Sequence, residues 1–412
     1  MMEKCNYLLL IIGTNPFPNL IASLTRIKPG GTIFMFFTDA TSSIKESIKN
    51  IIGEKTNNSF KIIDIIIDRS DPIKIDKEAN IVFKNYIEEL DDKIIELNFT
   101  GGTKVMSSII YHHFKNYALE NKKNTFILSY MDGEKQLMNY EIIRNGTTSS
   151  KSEKLKEVES DFEPIKIEEI IKAHGKDIGK FNHEPYDSKL GELIFNSFVD
   201  CDEENYKKNV SFLEWLHDNL GIDKDKDKRA IKKMEELELS DNCILLDKEK
   251  NPFYPEYKSF KDFAIKDGET SLALLKSLSG TWFEDYILQI ILNLKENLCI
   301  LDAGNSIKSK DDFEIDVVFI KKYRFYAISV TSCDGKDEVV GKLYEVNERA
   351  KQLGGDEAGV CFISLYKNTE ELERMFQNVW DEDAIKNTLI IGADRFKGIE
   401  SRLENWIRED KI

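Results

Sequence analysis

Leu97-Asn98-Phe99-Thr100-Gly101-Gly102-Thr103-Lys104-Val105-Met106 lies where one periodicity gives way to another. Upstream, Ile94, Ile95 and Leu97 supply the apolar bulk of a short strand. Downstream, Val105, Ile109, Ile110 and Phe114 recur along one helical face. A strand that ends in Gly-Gly and opens a helix presents backbone N–H groups at a positive helix end, an arrangement that suits an anion and phosphate above all. Gly101 and Gly102 let a ligand approach the backbone, Lys104 can add a point charge, and Asn98, Thr100 and Thr103 can read hydroxyls or a base. The plainer alternative is a tight strand-to-helix turn capped by a threonine. The P-loop is excluded, because it needs four residues between its glycines before Gly-Lys-Ser/Thr.

Working outward, the segments on both sides alternate between strand and helix. Tyr7–Ile12 is a continuous apolar run, as in a strand buried on both faces, and Gly13–Asn19 is a loop before a helix beginning at Leu20–Leu24. Thr32–Thr38 and Lys61–Asp68 read as strands, Ser43–Ile52, Ile75–Leu90 and Met106–Glu120 as helices. Thr125–Tyr130 and Leu137–Ile143 form a hairpin. The alternation predicts a doubly wound, Rossmann-like α/β sheet over residues 1–150. Ligands of such sheets bind beyond the carboxyl ends of the strands. Gly13–Asn19, Thr38–Thr41 and Asn98–Lys104 all follow strands, so they can meet on one rim.

Residues 151–270 read as a linker and a small, mainly helical segment. The polar run Asn145–Glu163 is an exposed connection, and Ile165–His174 and Lys189–Phe198 are candidate helices. Ser211–Asn219, Lys228–Leu239, Cys243–Leu246 and Asn251-Pro252 have a winged-helix-like order. The alternating charges of Asp223–Arg229 read as a solvated turn.

Residues 271–412 form a second α/β unit. A helix carries Glu284, Glu314–Ile320 is a strand with Asp316 and Glu314 on one face, Phe325–Thr331 is the next strand, and Lys336–Leu353 is a helix capped by Gly354-Gly355. Gly359–Ser364 and Thr388–Ile391 are further strands and Ile399–Ile407 a terminal helix. The order of acidic helix, acidic strand, strand and helix is that of nucleases using Mg²⁺ or Mn²⁺, whose carboxylates hold the ion while a lysine steadies the reacting phosphate. Glu284, Glu314 and Asp316 are the candidate metal ligands. The acid-x-lysine pair expected on the second strand is absent: Ser329 and Thr331 stand there. Lys336 or Lys342 is the candidate substitute, with Glu345 as an extra acid. The competing reading is a silent site in a structural or binding module.

Composition narrows the rest. The chain has 412 residues, 41% hydrophobic and 32% charged, with a formal net charge of −16, which argues against a surface coated for nonspecific DNA binding. Six scattered cysteines without a CxxC pair suggest reduced thiols, and the five histidines form no HExxH motif. The apolar start is too short for a signal or membrane segment, so a cytoplasmic protein is expected.

The chain resembles a family of CRISPR-linked effectors that join a CARF domain to a PD-(D/E)xK nuclease-like, restriction-endonuclease-like domain. The first part is similar at Gly13-Thr14-Asn15-Pro16-x-Pro18-Asn19, at Thr38-Asp39, at Asn98-x-Thr100-Gly101-Gly102-Thr103-Lys104-Val105-Met106 and at Tyr130-Met131-Asp132-Gly133. The last part is similar at Gly280-Thr281-Trp282-x-Glu284, Glu314-Ile315-Asp316-Val317, Lys342-Leu343 and Gly354-Gly355. The resemblance implies a homodimer that binds one cyclic oligoadenylate, with cyclic tetra-adenylate favoured, across its two-fold axis. Gly13, Thr14, Asn15, Pro16, Pro18, Asn19, Thr38, Asp39, Asn98, Thr100, Gly101, Gly102, Thr103, Lys104, Met106 and Asp132 would contact the ring, and binding would switch on metal-dependent cutting of DNA, RNA or both. Two alternatives stay open: a catalytically silent sensor, and slow cleavage of the ring in the CARF pocket itself.

Overall fold

The computed structural model describes residues 2–133, 135–158, 160–186, 188–220, 280–309 and 314–408. The expected helix and wing between Lys228 and Pro252, the charged run Asp223–Arg229, and Leu272, Leu275 and Leu278 lie outside the described residues.

The first sheet has seven strands: β1 (Cys5–Ile11), β2 (Ile27–Phe37), β3 (Lys61–Ile66), β4 (Ile94–Asn98), β5 (Thr125–Asp132), β6 (Leu137–Arg144) and β7 (Thr147–Lys154). Their order is β3-β2-β1-β4-β5-β6-β7. The first five in this order run parallel, and β6 and β7 add antiparallel. This is the Rossmann-like α/β arrangement expected, with β1 and β4 adjacent at its centre. Side chains alternate across β1: Leu8 and Leu10 pack on the side of helices Phe17–Thr25 and Ser42–Thr56, Leu9 and Ile11 on the side of Pro72–Val82 and Lys104–Glu120. Both faces are covered, which is why β1 reads as an unbroken apolar run.

Several boundaries differ from the sequence reading. The helix after β1 begins at Phe17, because Pro18 sits in its first turn, where a missing N–H is harmless. The polar segment expected as a linker contains β7, which is exposed along nearly its whole length and pairs with β6 residue for residue.

The second sheet has the order β13-β12-β11-β10-β9-β8. Its strands are β8 (Ile178–Asn182), β9 (Ile300–Ser309), β10 (Glu314–Lys321), β11 (Arg324–Thr331), β12 (Gly359–Ser364) and β13 (Thr388–Ile391). β8 comes from the segment expected to be helical and forms one edge of this sheet. Helix Lys336–Gly354 covers one face through Val339, Leu343, Val346, Ala350 and Leu353. Helix Trp282–Leu298 and terminal helix Ile399–Arg408 cover the other.

The two sheets are not separately cored. One continuous apolar cluster runs from Leu8, Leu10 and Ile21, through Ile165, Ile167, Ile170 and Ile171, to Val318, Ile320, Leu343 and Leu353. Helix Ile167–Ala173 is the filling between the sheets. Among the described residues no helix is long and apolar enough to cross a membrane.

Candidate functional site

The rim of the first sheet is assembled by close backbone approach. A Cβ on Gly101 would lie 2.2 Å from the carbonyl oxygen of Ile11, and one on Gly13 would lie 2.7 Å from the Gly102 nitrogen. Gly102 has φ +84, a conformation that favours glycine. The Gly-Gly pair is thus required by the packing of the β4 turn against the end of β1. Thr103 caps helix Lys104–Glu120: its Oγ1 accepts from Met106 N at 3.2 Å and donates to Arg69 O at 3.2 Å. Ser107 Oγ donates to Gly101 O at 2.7 Å and holds the turn from the other side.

The expected ligand residues divide into two groups. Thr14, Asp39 and Lys104 are exposed, and Gly13, Asn15, Thr100, Gly101, Gly102, Thr103 and Asp132 are half-buried. These converge on the carboxyl ends of β1, β2, β4 and β5. Pro16, Pro18, Asn19, Thr38, Asn98 and Met106 are buried in the single chain. Met106 is 1% exposed and packs with Phe114 and Ile110 in the core. Asn98 Nδ2 donates to Ser129 Oγ at 3.0 Å while its Oδ1 accepts from Thr100 N at 3.3 Å, so it shapes the loop. Asn19 Nδ2 donates to Ile11 O at 3.1 Å. Thr38 N donates to Thr41 Oγ1 at 3.0 Å and closes the turn after β2. Asp132 Oδ1 accepts from Lys135 N at 2.9 Å, which turns it toward its own hairpin. The rim also carries an aromatic pair: Phe99 and Tyr130 stack with centroids 5.7 Å apart, and Tyr130 is 41% exposed.

The second candidate centre is a cavity of about 260 Å³ lined by Glu314, Asp316, Ser329, Lys342, Glu345 and Arg349. Asp316 Oδ2 accepts from Ser329 Oγ at 2.7 Å and from Val330 N at 2.8 Å. Burial raises the Asp316 carboxyl above its ordinary range; the two hydrogen bonds oppose this, Glu314 adds to it, and the Lys342 ammonium pulls it down. Lys342 Nζ donates to Thr331 Oγ1 at 3.1 Å. The Lys342 ammonium thus reaches β11 from the following helix.

Glu284 stands behind this cavity, 9% exposed, with its Oε2 accepting from Ser306 Oγ at 2.6 Å. Burial first, then repulsion by Asp316, pushes its carboxyl up to about 8.

Lys336, Glu314 and Glu345 are each ion-paired. Lys336 is ion-paired with Glu371 at 2.6 Å and does not line the cavity, because the first turn of its helix faces helix Thr369–Gln377. Glu314 lines the cavity, but its Oε1 is 2.6 Å from Lys308 Nζ on the neighbouring strand, which compensates its charge there. Among the described residues no three His, Cys, Asp or Glu side chains are grouped as a metal cluster, so the set Glu284, Glu314 and Asp316 is not assembled as such. Glu345 lines the cavity and is ion-paired with Arg349.

Arg349 was absent from the sequence reading. It donates to the Glu314 carbonyl and lines the cavity one turn beyond Glu345. Positions 342, 345 and 349 share a helical face, so the signal was present in the spacing. Ser306 carried no such signal, since its meeting with Glu284 depends on how β9 packs on the helix.

Two solved structures share this fold along the whole chain. Can2 from Sulfobacillus thermosulfidooxidans, in complex with cyclic tetra-adenylate, matches with a TM-score of 0.65 at 16% identity, over 97% of this chain and 99% of that one. Protein VC1899 from Vibrio cholerae matches with a TM-score of 0.63 at 14% identity, over 98% of each chain. No family model matches the sequence, and no curated protein does.

Proposed function

We propose that this protein is a type III CRISPR accessory effector. In this reading a cyclic oligoadenylate, with cyclic tetra-adenylate favoured, binds at the rim of the first sheet, shared between two copies of the chain. Its binding switches on metal-dependent cleavage of DNA or RNA at the cavity of the second sheet. The rim supports the first half: exposed Lys104 at a helix N-terminus offers charge to phosphates, and Thr14, Asn15 and Thr100 offer hydrogen bonds to ribose or base. The likeness to a protein solved with cyclic tetra-adenylate agrees with that ligand class.

The observation that carries the second half is the meeting of Asp316 and Lys342 on one cavity. Mg²⁺ is commonly held by one or two carboxylates, with waters and substrate phosphates completing its shell. Asp316 on the cavity wall, with the buried Glu284 carboxyl close enough to repel it, would supply that donor set. Bound there, Mg²⁺ or Mn²⁺ would activate water and shield phosphate charge. Lys342 and Arg349 would hold and orient the substrate phosphate from the facing helix, and Ser329 and Val330 N keep Asp316 aimed at the cavity.

The test is incubation with tri-, tetra- and hexa-adenylate rings, Mg²⁺ or Mn²⁺, supercoiled DNA and single-stranded RNA. Ring-dependent cleavage that a chelator abolishes and Asp316→Ala removes is the expected outcome. An Asp316→Ala protein that cuts like the parent would sink the nuclease assignment. One observation favours a catalytically silent sensor instead: Ser329, not an acid, faces Asp316. Ring binding without cleavage of either nucleic acid is its signature.

A further inference from the structure

The rim of the first sheet meets the second unit at the turn Gly355–Glu357. Asn15, on the loop after β1, abuts Gly355: a Cβ on Gly355 would lie 2.7 Å from Asn15 Nδ2. Gly133, on the hairpin after β5, abuts Glu357: a Cβ on Gly133 would lie 2.2 Å from Glu357 Cγ. β1 and β5 flank β4 on either side, so these two loops flank the Thr100–Lys104 turn. Both press on the same short segment of the second unit.

That segment has little slack on its other side. Arg324 Nε donates to Glu357 O at 2.7 Å, and His174 Nε2 donates to Leu353 O at 3.2 Å. A Cβ on Gly354 would lie 2.8 Å from Phe325 Cβ and 2.9 Å from Ala358 Cβ. Gly355 itself has φ +85. Residues 353–358 are thus wedged between the rim and the start of β11. They also end helix Lys336–Gly354, which carries Lys342, Glu345 and Arg349 on the cavity roughly 18 Å or less from that end, at about 1.5 Å of rise per residue.

We propose that the Gly355–Glu357 turn is the contact through which occupancy of the rim reaches the cavity, by displacing helix Lys336–Gly354 as a rigid body. The inference rests on the reading of the rim as a ring sensor. A ring seated on the Thr100–Lys104 turn meets the loops on both sides of it. Any shift of those loops pushes the wedge, and a packed helix passes the shift along its axis instead of absorbing it. Glu357 is a positioning residue in this scheme and does not touch the cavity, while Asn15 belongs to the rim that would bind the ring.

Hydrogen exchange on the full chain, with and without cyclic tetra-adenylate and without metal, tests the relay independently of cleavage. Ring addition to the parent is expected to change exchange both at the rim loops and across residues 336–349. Glu357→Ala is expected to bind the ring within about twofold of the parent affinity, yet lose the change at 336–349 and about tenfold of the ring-stimulated cleavage, the scale on which residues along a coupling path act. Glu357→Gln, which keeps the packing, is expected to behave as the parent. Gly133→Ala gives a second perturbation from the opposite side of the same contact. A Glu357→Ala protein that carries the exchange change to 336–349 as the parent does overturns the relay. Ring binding that alters the rim but not residues 336–349 in the parent overturns it too, while leaving the sensor standing. Absence of ring binding to the parent removes the sensor reading and the relay together.

Discussion

Glu284 is held in a state that costs stability. Its folded carboxyl titrates near 8 against an ordinary value of 4.5, because burial and the nearby Asp316 both disfavour the anion. A raised acid is a destabilising one: the unfolded chain releases the proton first. The penalty this one carboxyl imposes is absent below about 4.5, grows as pH rises toward about 8, and is constant above that, where both states are ionised. Glu284→Gln removes that slope. It is expected to gain roughly 2 kcal/mol at pH 8 and nothing at pH 4, a discounted figure because part of the shift is shared with Asp316. Urea unfolding of both proteins at the two pH values checks this, and equal midpoints at pH 8 would remove the strained-carboxylate argument. Lys342 is the complementary case. Lys342→Ala is expected to lower ring-stimulated cleavage by about 10² or more, the loss typical of a charge-stabilising donor, and to leave ring affinity unchanged. Lys336→Ala should cut like the parent, since its ammonium is spent on Glu371. The reverse ranking of the two lysines, read in one cleavage assay, would contradict the geometry.

At the scale of elements, the turn between β4 and helix Lys104–Glu120 combines two roles that substitution can separate. Thr103 caps the helix, and Thr103→Ala is expected to cost about 1 kcal/mol of stability. Lys104 is exposed, so Lys104→Ala should leave stability unchanged while weakening ring binding and reducing its dependence on salt. Calorimetric titration at two salt concentrations, beside a thermal melt, distinguishes them; unchanged ring affinity for Lys104→Ala would end the phosphate role. This element was legible in the sequence because the change of period from strand to helix is local, and β12 and β13 were legible to the residue for the same reason. β7 was not. Its Thr147-Thr148-Ser149-Ser150 run buries no apolar face, and only pairing with β6 makes it a strand. β8 is likewise defined by its partner β9, and helices Thr369–Gln377 and Glu382–Asn387 are too short for composition to mark them. The site followed the same division. That Asp316 and Lys342 approach one cavity could be named from strand alternation and element order, whereas the burial of Met106, Asn19 and Asn98 could not, because motif position does not reveal which side of a loop a side chain takes. Burial decided that, and burial is a property of the assembled fold.

For the whole molecule, the continuity of the core makes the two units one cooperative body. Ile165, Ile167, Ile170 and Ile171 are buried between the sheets, in contact with an apolar cluster that reaches Leu8 on one side and Leu353 on the other. If the units were independently stable, loosening the seam would leave each intact. Because they share a core, opening the seam exposes apolar surface on both, and neither retains its full complement of buried contacts. A single unfolding transition follows. The chain allows a test, because residues 1–150 contain no tryptophan and all four, Trp215, Trp282, Trp380 and Trp406, lie beyond them. Tryptophan fluorescence therefore reports the chain beyond the first unit, while exchange of the β1 amides of Leu8–Ile11 reports the first. The two should give the same midpoint in urea. Ile170→Ala, which removes a side chain from the seam, is expected to lower both midpoints together, by an amount on the order of 2–4 kcal/mol for a buried aliphatic truncation. Separate midpoints, or a shift confined to one probe, would show two autonomous units.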